Sequence, residues 1–194
     1  MIDHFLIDIP ERLEGERVVV RAYLPGDGPA LREAVAESRE DLRPWMPFAD
    51  EHQTDADAEA FVRKSRARWF GRDDMGMGIF ARDSGKFLGG TGLHRVDWRI
   101  RRFEIGYWIR SSETGKGYVT EAVQLLCSLA FDILNANRVH IRCAVINEKS
   151  AAVARRAGFH YEGVLRNDVL SPDGRPHDSH SFSLTPEDWA RLGA

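Results

Sequence analysis

The run from Glu104 to Val123, EIGYWIRSSETGKGYVTEAV, constrains the fold more than any other part of this 194-residue chain. It reads as a strand, a short loop with two glycines, and the start of a long amphipathic helix. In the strand, Phe103, Ile105, Tyr107 and Ile109 share one face, and Glu104, Gly106 and Trp108 share the other. Gly115 and Gly117 carry no Cβ, so the backbone there can turn tightly and a ligand can approach it closely. The first helical turn leaves N–H groups without intrahelical partners at the positive end of the helix dipole, a setting suited to phosphate. A phosphorylated cofactor is therefore expected. A P-loop would need glycine at position 110 and Ser or Thr at 117, where Arg110 and Gly117 stand. A dinucleotide fingerprint would need glycine at 120, which is Thr120, and a parallel strand before the loop, whereas the preceding segments read as an antiparallel meander.

The rest of the chain supplies the frame. Residues 18–23 form a β-branched strand broken by Pro25-Gly-Asp-Gly-Pro. Helical spacing covers residues 30–40 and 55–70. Between them, Asp41-Leu-Arg-Pro-Trp-Met-Pro-Phe is a proline-stiffened loop carrying Trp45. Strands at 77–82, 87–96 and 102–109 are separated by turn signals. After the glycine loop, Ala122 to Leu134 form one apolar stripe at helical spacing. A strand follows at 139–145, with His140, Arg142 and Ala144 alternating against Val139, Ile141 and Cys143. A strand–helix–strand unit of this kind closes with its strands parallel. Asn147 opens another helix ended by Gly158. Residues 159–170 and 177–184 form a hairpin around Pro172-Asp-Gly-Arg. The order predicts an α/β sandwich with one mixed sheet, in one domain spanning residues 1–194 with a core over about 10–190.

Composition narrows the function classes. Hydrophobic content of 43% and charged content of 29% are ordinary for a globular protein, and a net charge of −3 argues against direct nucleic-acid binding. Cys127 and Cys143 lack metal or redox spacing and read as buried thiols of a reducing compartment. The first ten residues carry acids where a secretory leader has bases, and no apolar window spans a membrane, so a cytoplasmic protein with no membrane partner is expected. His177 and His180 lack the geometry of a zinc motif, so no metal is expected.

Five short patterns in order (Glu104-Ile-Gly-Tyr-Trp-Ile, Gly115-Lys-Gly-Tyr-Val-Thr-Glu-Ala, Asn147-x-x-Ser150, Ala157-Gly-Phe and Glu162-Gly) resemble the GNAT acyltransferases. Arg17-Val-Val-Val-Arg and Leu42-Arg-Pro-Trp-Met-Pro are similar to its RimJ/RimL-type branch of ribosomal-protein N-terminal acetyltransferases. The resemblance covers residues 10–190. It implies a three-layer sandwich whose parallel strand pair splays apart, and acetyl-CoA as cofactor. Backbone amides of Gly115, Lys116, Gly117, Tyr118, Val119 and Thr120 would hold its pyrophosphate, and the backbone of Tyr107, Trp108 and Ile109, with the Asn147 amide, its pantetheine arm. Asn147 also reads as a helix N-cap. Lys149, Arg155 and Arg156 are candidates for the 3′-phosphate, or a solvated face. The family pattern favours other residues at Thr114 and Val119.

Acetyl transfer to an amine needs a neutral nucleophile, a polarised carbonyl and a proton for the departing thiolate. Glu104 is the first candidate for a base, acting through a water, and His94 the second. Many members of the family place a tyrosine seven residues after the asparagine as the acid. Here that position is Ala154, and Ser150 is the candidate instead. Trp45 and His94 are placed on the acceptor side, shaped by the first two helices. The expected acceptor is a protein N-terminal amine. A polyamine, antibiotic or amino-sugar acetyltransferase and a silent acyl-CoA-binding module are the alternatives. Five tryptophans are compatible with a homodimer that completes the acceptor site.

Overall fold

The computed structural model describes residues 3–171 and 174–193. Its strands are β1 (Arg12–Glu14), β2 (Val18–Ala22), β3 (Met75–Ala81), β4 (Phe87–Asp97), β5 (Arg102–Ile109), β6 (Arg138–Ala144), β7 (His160–Leu170) and β8 (Pro176–Leu184). Its helices are α1 (Gly28–Leu42), α2 (Asp55–Gly71), α3 (Tyr118–Ser128), α4 (Glu148–Arg156) and α5 (Pro186–Arg191). The strands form one sheet in the order β1-β2-β3-β4-β5-β6-β8-β7, antiparallel throughout except for β5 and β6. This is the expected α/β sandwich with one mixed sheet.

The alternation of the strands divides the core. On one face Val19, Tyr23, Phe80 and Phe87 pack under α1 and α2, meeting Leu31, Val35 and Val62. On the other, Phe103, Ile105, Ile141 and Phe182 pack against Val123 and Leu126 of α3 and Ala151 and Ala154 of α4. Helix starts follow local chemistry: Thr54 and Asp57 form a reciprocal capping box for α2, and Asn147 accepts the Ser150 N–H to cap α4. Such caps contribute about 1 kcal/mol each.

One expectation needs correction. The stripe after the glycine loop is not one α-helix: α3 ends at Ser128, and a π-helical turn, Leu129–Ile133, carries the chain on. The wider turn keeps Leu129, Ala130 and Phe131 all buried. Strand β1 and helix α5 had not been expected. The first is only three residues long; the second carries a capping box of Thr185 and Asp188 and sets Trp189 against Phe131. The β7–β8 hairpin is present, but Pro172 and Asp173 of its turn lie outside the described residues.

Candidate active site

The segment between β5 and α3 is held from both sides. Arg110, only 3% exposed, donates to the Phe87 carbonyl (2.7 Å) and to Glu33 and Glu37 of α1 (2.8 Å each). The Ser111 N–H donates to Ser38 Oγ (2.9 Å) and the Ser112 N–H to Glu37 (3.1 Å), and Ser112 and Arg110 together hold the Glu37 carboxyl down at about 2. Glu113 joins Lys86 and Lys116. At the far end Glu121 accepts the Arg17 and Val18 N–H groups and the Arg17 Nε, tying the β1–β2 hairpin to the first turn of α3.

Gly115 and Gly117 have φ of 77° and 84°, the left-handed region that glycine enters without strain. Arg17 Nη1 holds the Lys116 carbonyl at 2.9 Å. In a trans peptide C=O and N–H point opposite ways, so the Gly117 N–H faces away from Arg17. The N–H groups of Tyr118, Val119 and Thr120 lie in the first turn and have no intrahelical acceptor. The Thr120 hydroxyl is buried with no hydrogen-bond partner among the described residues. Arg17, Gly117, Thr120, Gln124 and Arg156 border an open cleft of about 360 Å³. Free main-chain donors and two guanidinium groups fit the diphosphate of coenzyme A.

Strands β5 and β6 pair only at Arg102↔Arg138, Phe103↔Val139 and Glu104↔His140. From Ile105 onward β5 stays bonded to β4, while β6 continues with β8 as its partner. The parallel pair therefore diverges, opening a gap beside Tyr107, Trp108 and Ile109. Below it the Ser150 Oγ donates to the Tyr107 hydroxyl (3.1 Å), which donates to the Ser150 carbonyl (2.9 Å). Burial pushes the Tyr107 phenol up and keeps it protonated. Asn147 Oδ1 is occupied by the Ser150 N–H (3.1 Å); its amide NH₂ has no partner among the described residues. Ala154 is buried in the core.

On the opposite face stand Glu104, Gly106 and Trp108. Burial raises the Glu104 carboxyl, but the His140 hydrogen bond and the charges of Arg142, His140 and Arg95 prevail and hold it below the usual range. All these contacts fall on Oε2: His140 Nε2 at 3.0 Å, Arg142 Nη2 at 2.9 Å and Nε at 3.1 Å, Arg95 Nε at 3.5 Å. Oε1 has no partner among the described residues. Arg142 also grips Asp168 of β7 with Nη1. His94 faces Glu104 across β4–β5, and its Nδ1 lies 2.9 Å from Asp74 Oδ1. Phe48, from the loop after α1, packs 5.8 Å from Trp108. Trp45 is half-buried in the same loop and makes no ring contact among the described residues.

The structure thus gathers Glu104, His94 and Trp108 on one face, Ser150, Asn147 and Tyr107 at the α4 end of the gap, and residues 115–120 at its mouth. Sequence reasoning missed Asp74, His140, Arg142, Asp168, Phe48 and the Tyr107 hydroxyl. The polar half of β6 was visible as alternation, and a strand with charges on its inner face was the one available signal for His140 and Arg142.

Comparison with known proteins agrees with this geometry. Residues 17–160 match the family model described as an acetyltransferase (GNAT) domain. A Bacillus subtilis (strain 168) protein named "Putative ribosomal N-acetyltransferase YdaF" is 36% identical over 176 residues, 90% of this chain and 94% of that protein. The ribosomal protein uS5-alanine N-acetyltransferase of Escherichia coli (strain K12) is 28% identical over 187 residues, 92% of each chain. Among solved structures, RimL in complex with coenzyme A matches with a TM-score of 0.82 at 22% identity, over 93% of this chain and 98% of that one, a likeness of fold. A glycine loop feeding a helix N-terminus, a parallel pair that splays beside it, and a family match over most of the same residues have one reading: this chain belongs to the GNAT family of acetyltransferases.

Proposed function

We propose that the chain transfers the acetyl group of acetyl-CoA to the N-terminal α-amine of a protein, such as a ribosomal protein, in the cytoplasm. The observation that carries the choice of acceptor is the state of Glu104. Its Oε2 takes donors from His140 and Arg142, and the carboxyl sits below its ordinary range, so it is a weak proton acceptor. An α-amine near pKa 8 is roughly 10% neutral at pH 7, a lysine near 10.4 only about 0.04%. A Glu104 held as a weak base suits the former, whose amine needs little help in losing its proton. Lysine would require about 3 kcal/mol of further help in deprotonation.

In this reading the main-chain amides of residues 115–120 hold the diphosphate, and the gap beside Tyr107, Trp108 and Ile109 takes the pantetheine arm. The Asn147 NH₂ is a donor to that arm. Glu104 Oε1 is a fixed negative charge that receives the acceptor's ammonium or its water. Ser150, turning its hydroxyl hydrogen from Tyr107 toward the sulfur, supplies the proton to the departing thiolate. Trp45 and Phe48 border the acceptor, and a homodimer would extend that border.

The test is thiol release from acetyl-CoA with peptides beginning Ser, Ala and Thr, lysine peptides with blocked N-termini, and polyamines. Faster turnover of the free N-termini is expected. Faster turnover of a polyamine would move the acceptor to small amines. Tight acetyl-CoA binding without release to any amine would leave a silent binding module.

A further inference from the structure

His94 and Asp74 form a pair that the glycine loop and the family patterns do not require. Asp74 lies in the turn before β3, 20% exposed, and accepts from Arg68 at 2.9 Å on its other oxygen. Burial opposes its charge, but the hydrogen bond from His94 and the charges of His94 and Arg68 keep its carboxyl below the usual range. An ionised carboxylate can only accept, so the hydrogen between the two groups belongs to His94 Nδ1. In the neutral ring Nε2 is then bare, a lone pair with no protein partner among the described residues.

The ring's position gives that lone pair a use. Along β4 and β5 the facing pairs Gly92↔Gly106 and Gly90↔Trp108 follow His94↔Glu104. His94 lies flat on this glycine floor: a Cβ on Gly106 would stand 3.2 Å from its Cδ2 and 3.4 Å from its Nε2, and one on Gly92 3.0 Å from its Cε1. Gly106 is the second residue of β5 after the last pair with β6, so Nε2 overlooks the start of the gap. The side chain remains 32% exposed. His140 offers a contrast. Its Nε2 donates to Glu104, which also leaves a bare nitrogen, but that Nδ1 is sealed from solvent and no acceptor can reach it.

We propose that His94, oriented by Asp74, is the proton acceptor for the incoming amine, in place of Glu104. The inference rests on the amine-acetylation reading above. An ammonium acceptor gives one proton to Nε2; the N–H pair stays on nitrogen, and the imidazolium is balanced by Asp74. The amine lone pair forms the C–N bond to the acetyl carbon. The C–S bond breaks with its electron pair on sulfur, and the second amine proton, lost as the amide forms, balances the one taken up by the thiolate. The imidazolium returns its proton to water. Asp74 is a positioning residue: it fixes the tautomer and steadies the charged ring, as the carboxylate does in a catalytic triad.

Two measurements test this. The first needs no acceptor. In ¹⁵N-labelled enzyme at pH 8, long-range ¹H–¹⁵N spectra should show His94 with hydrogen on Nδ1 and bare Nε2, and Asp74→Asn should shift it toward Nε2–H. Hydrogen on Nε2 in the native enzyme would overturn the proposal, whatever the acceptor proves to be. The second uses the amine that the native enzyme turns over best. His94→Ala should lower kcat/KM by about 10² to 10⁴-fold, the usual range for a general base. Its acetyl-CoA Kd by calorimetry should be unchanged, and added imidazole should restore part of the rate. His94→Gln serves as the second variant should alanine disturb folding. Activity of His94→Ala near the native level, or a loss that imidazole leaves untouched while Glu104→Gln shows the same collapse, would return the base to Glu104. If the native enzyme turned over only polyamines, the α-amine reading would fall and the spectra would still decide His94.

Discussion

Gly117→Ala tests whether the amides of the loop grip the cofactor. Gly117 sits at φ 84°, ψ −1°. A residue with a Cβ pays about 1–2 kcal/mol in this region. The added methyl would stand 3.2 Å from Arg17 Nη2, the end of a long side chain that can yield, so the contact adds little. In a chain of this size that loss lowers Tm by about 2–8 °C. The loop can relieve the strain only by rotating the peptide whose carbonyl Arg17 holds at 2.9 Å, which turns the Gly117 N–H out of the cradle. Losing one hydrogen bond to a charged phosphate costs about 1.5–3 kcal/mol, or roughly 10- to 100-fold in Kd. Calorimetry with acetyl-CoA and a thermal melt read both quantities. Gly26→Ala is the control: φ is 101° and nothing lies within 4 Å of its Cβ, in the turn before α1. It should share the fall in Tm and leave Kd alone. An unchanged Kd in Gly117→Ala, or an equal weakening in Gly26→Ala, would refute the cradle.

Three further outcomes follow from the contacts above. Arg110→Met strips three hydrogen bonds from the root of the glycine loop and should destabilise the fold by about 2–3 kcal/mol in urea unfolding, with weaker acetyl-CoA binding; a native unfolding midpoint would contradict the anchoring role. The Arg138 hydrogen bond, with help from Ser181 and Ser183, depresses Glu162 to about 2. Its contribution is therefore complete above the unfolded value near 4.3 and lost as pH falls toward 2. Glu162→Gln should be less stable by about 1–2 kcal/mol at pH 7, after allowance for solvent screening, and the gap should close between about pH 4.5 and 2 in pH-dependent melts; a constant gap would oppose this. Ser150→Ala should lower kcat about tenfold or more with acetyl-CoA Kd nearly unchanged, because the Asn147 cap bonds the Ser150 backbone and survives; unchanged turnover would remove Ser150 as the acid.

What the sequence revealed and what it hid divide along sequence distance. The faces of β5 and the glycine loop depend on neighbours within a few residues, and their positions were readable. The cap at Asn147 was readable for the same reason. Helix α5 carries an equally local signal in Thr185-Pro-Glu-Asp, the capping box at its start. The π-helical turn after Ser128 was not readable, since its apolar residues suit either period. The partners that define the site are farther apart: Asp74 reaches His94 across 20 positions, Glu104 reaches Arg142 across 38, and Tyr107 reaches Ser150 across 43. Each meeting depends on sheet order, which periodicity does not supply.

The sheet itself explains why those partners matter. Where α1 and α2 cover it, the inner face is apolar, and its burial drives folding. Toward β6, β8 and β7 the same face carries two polar clusters, Glu104 with His140, Arg142 and Asp168, and Glu162 with Ser181 and Ser183. Packing alone would be served as well by apolar residues, since removing charges from water costs several kcal/mol per ion before pairing offsets it. Pairing is close to complete for Glu104 Oε2, Asp168 and Glu162. It stops at Glu104 Oε1 and at His94 Nε2, both on the face beside the diverging strands. The bare Nδ1 of His140 is sealed from solvent, so among the described residues the unpaired acceptors left within reach of an incoming ammonium are Glu104 Oε1 and His94 Nε2. That coincidence ties the ion pairs of the sheet to the chemistry of the cleft.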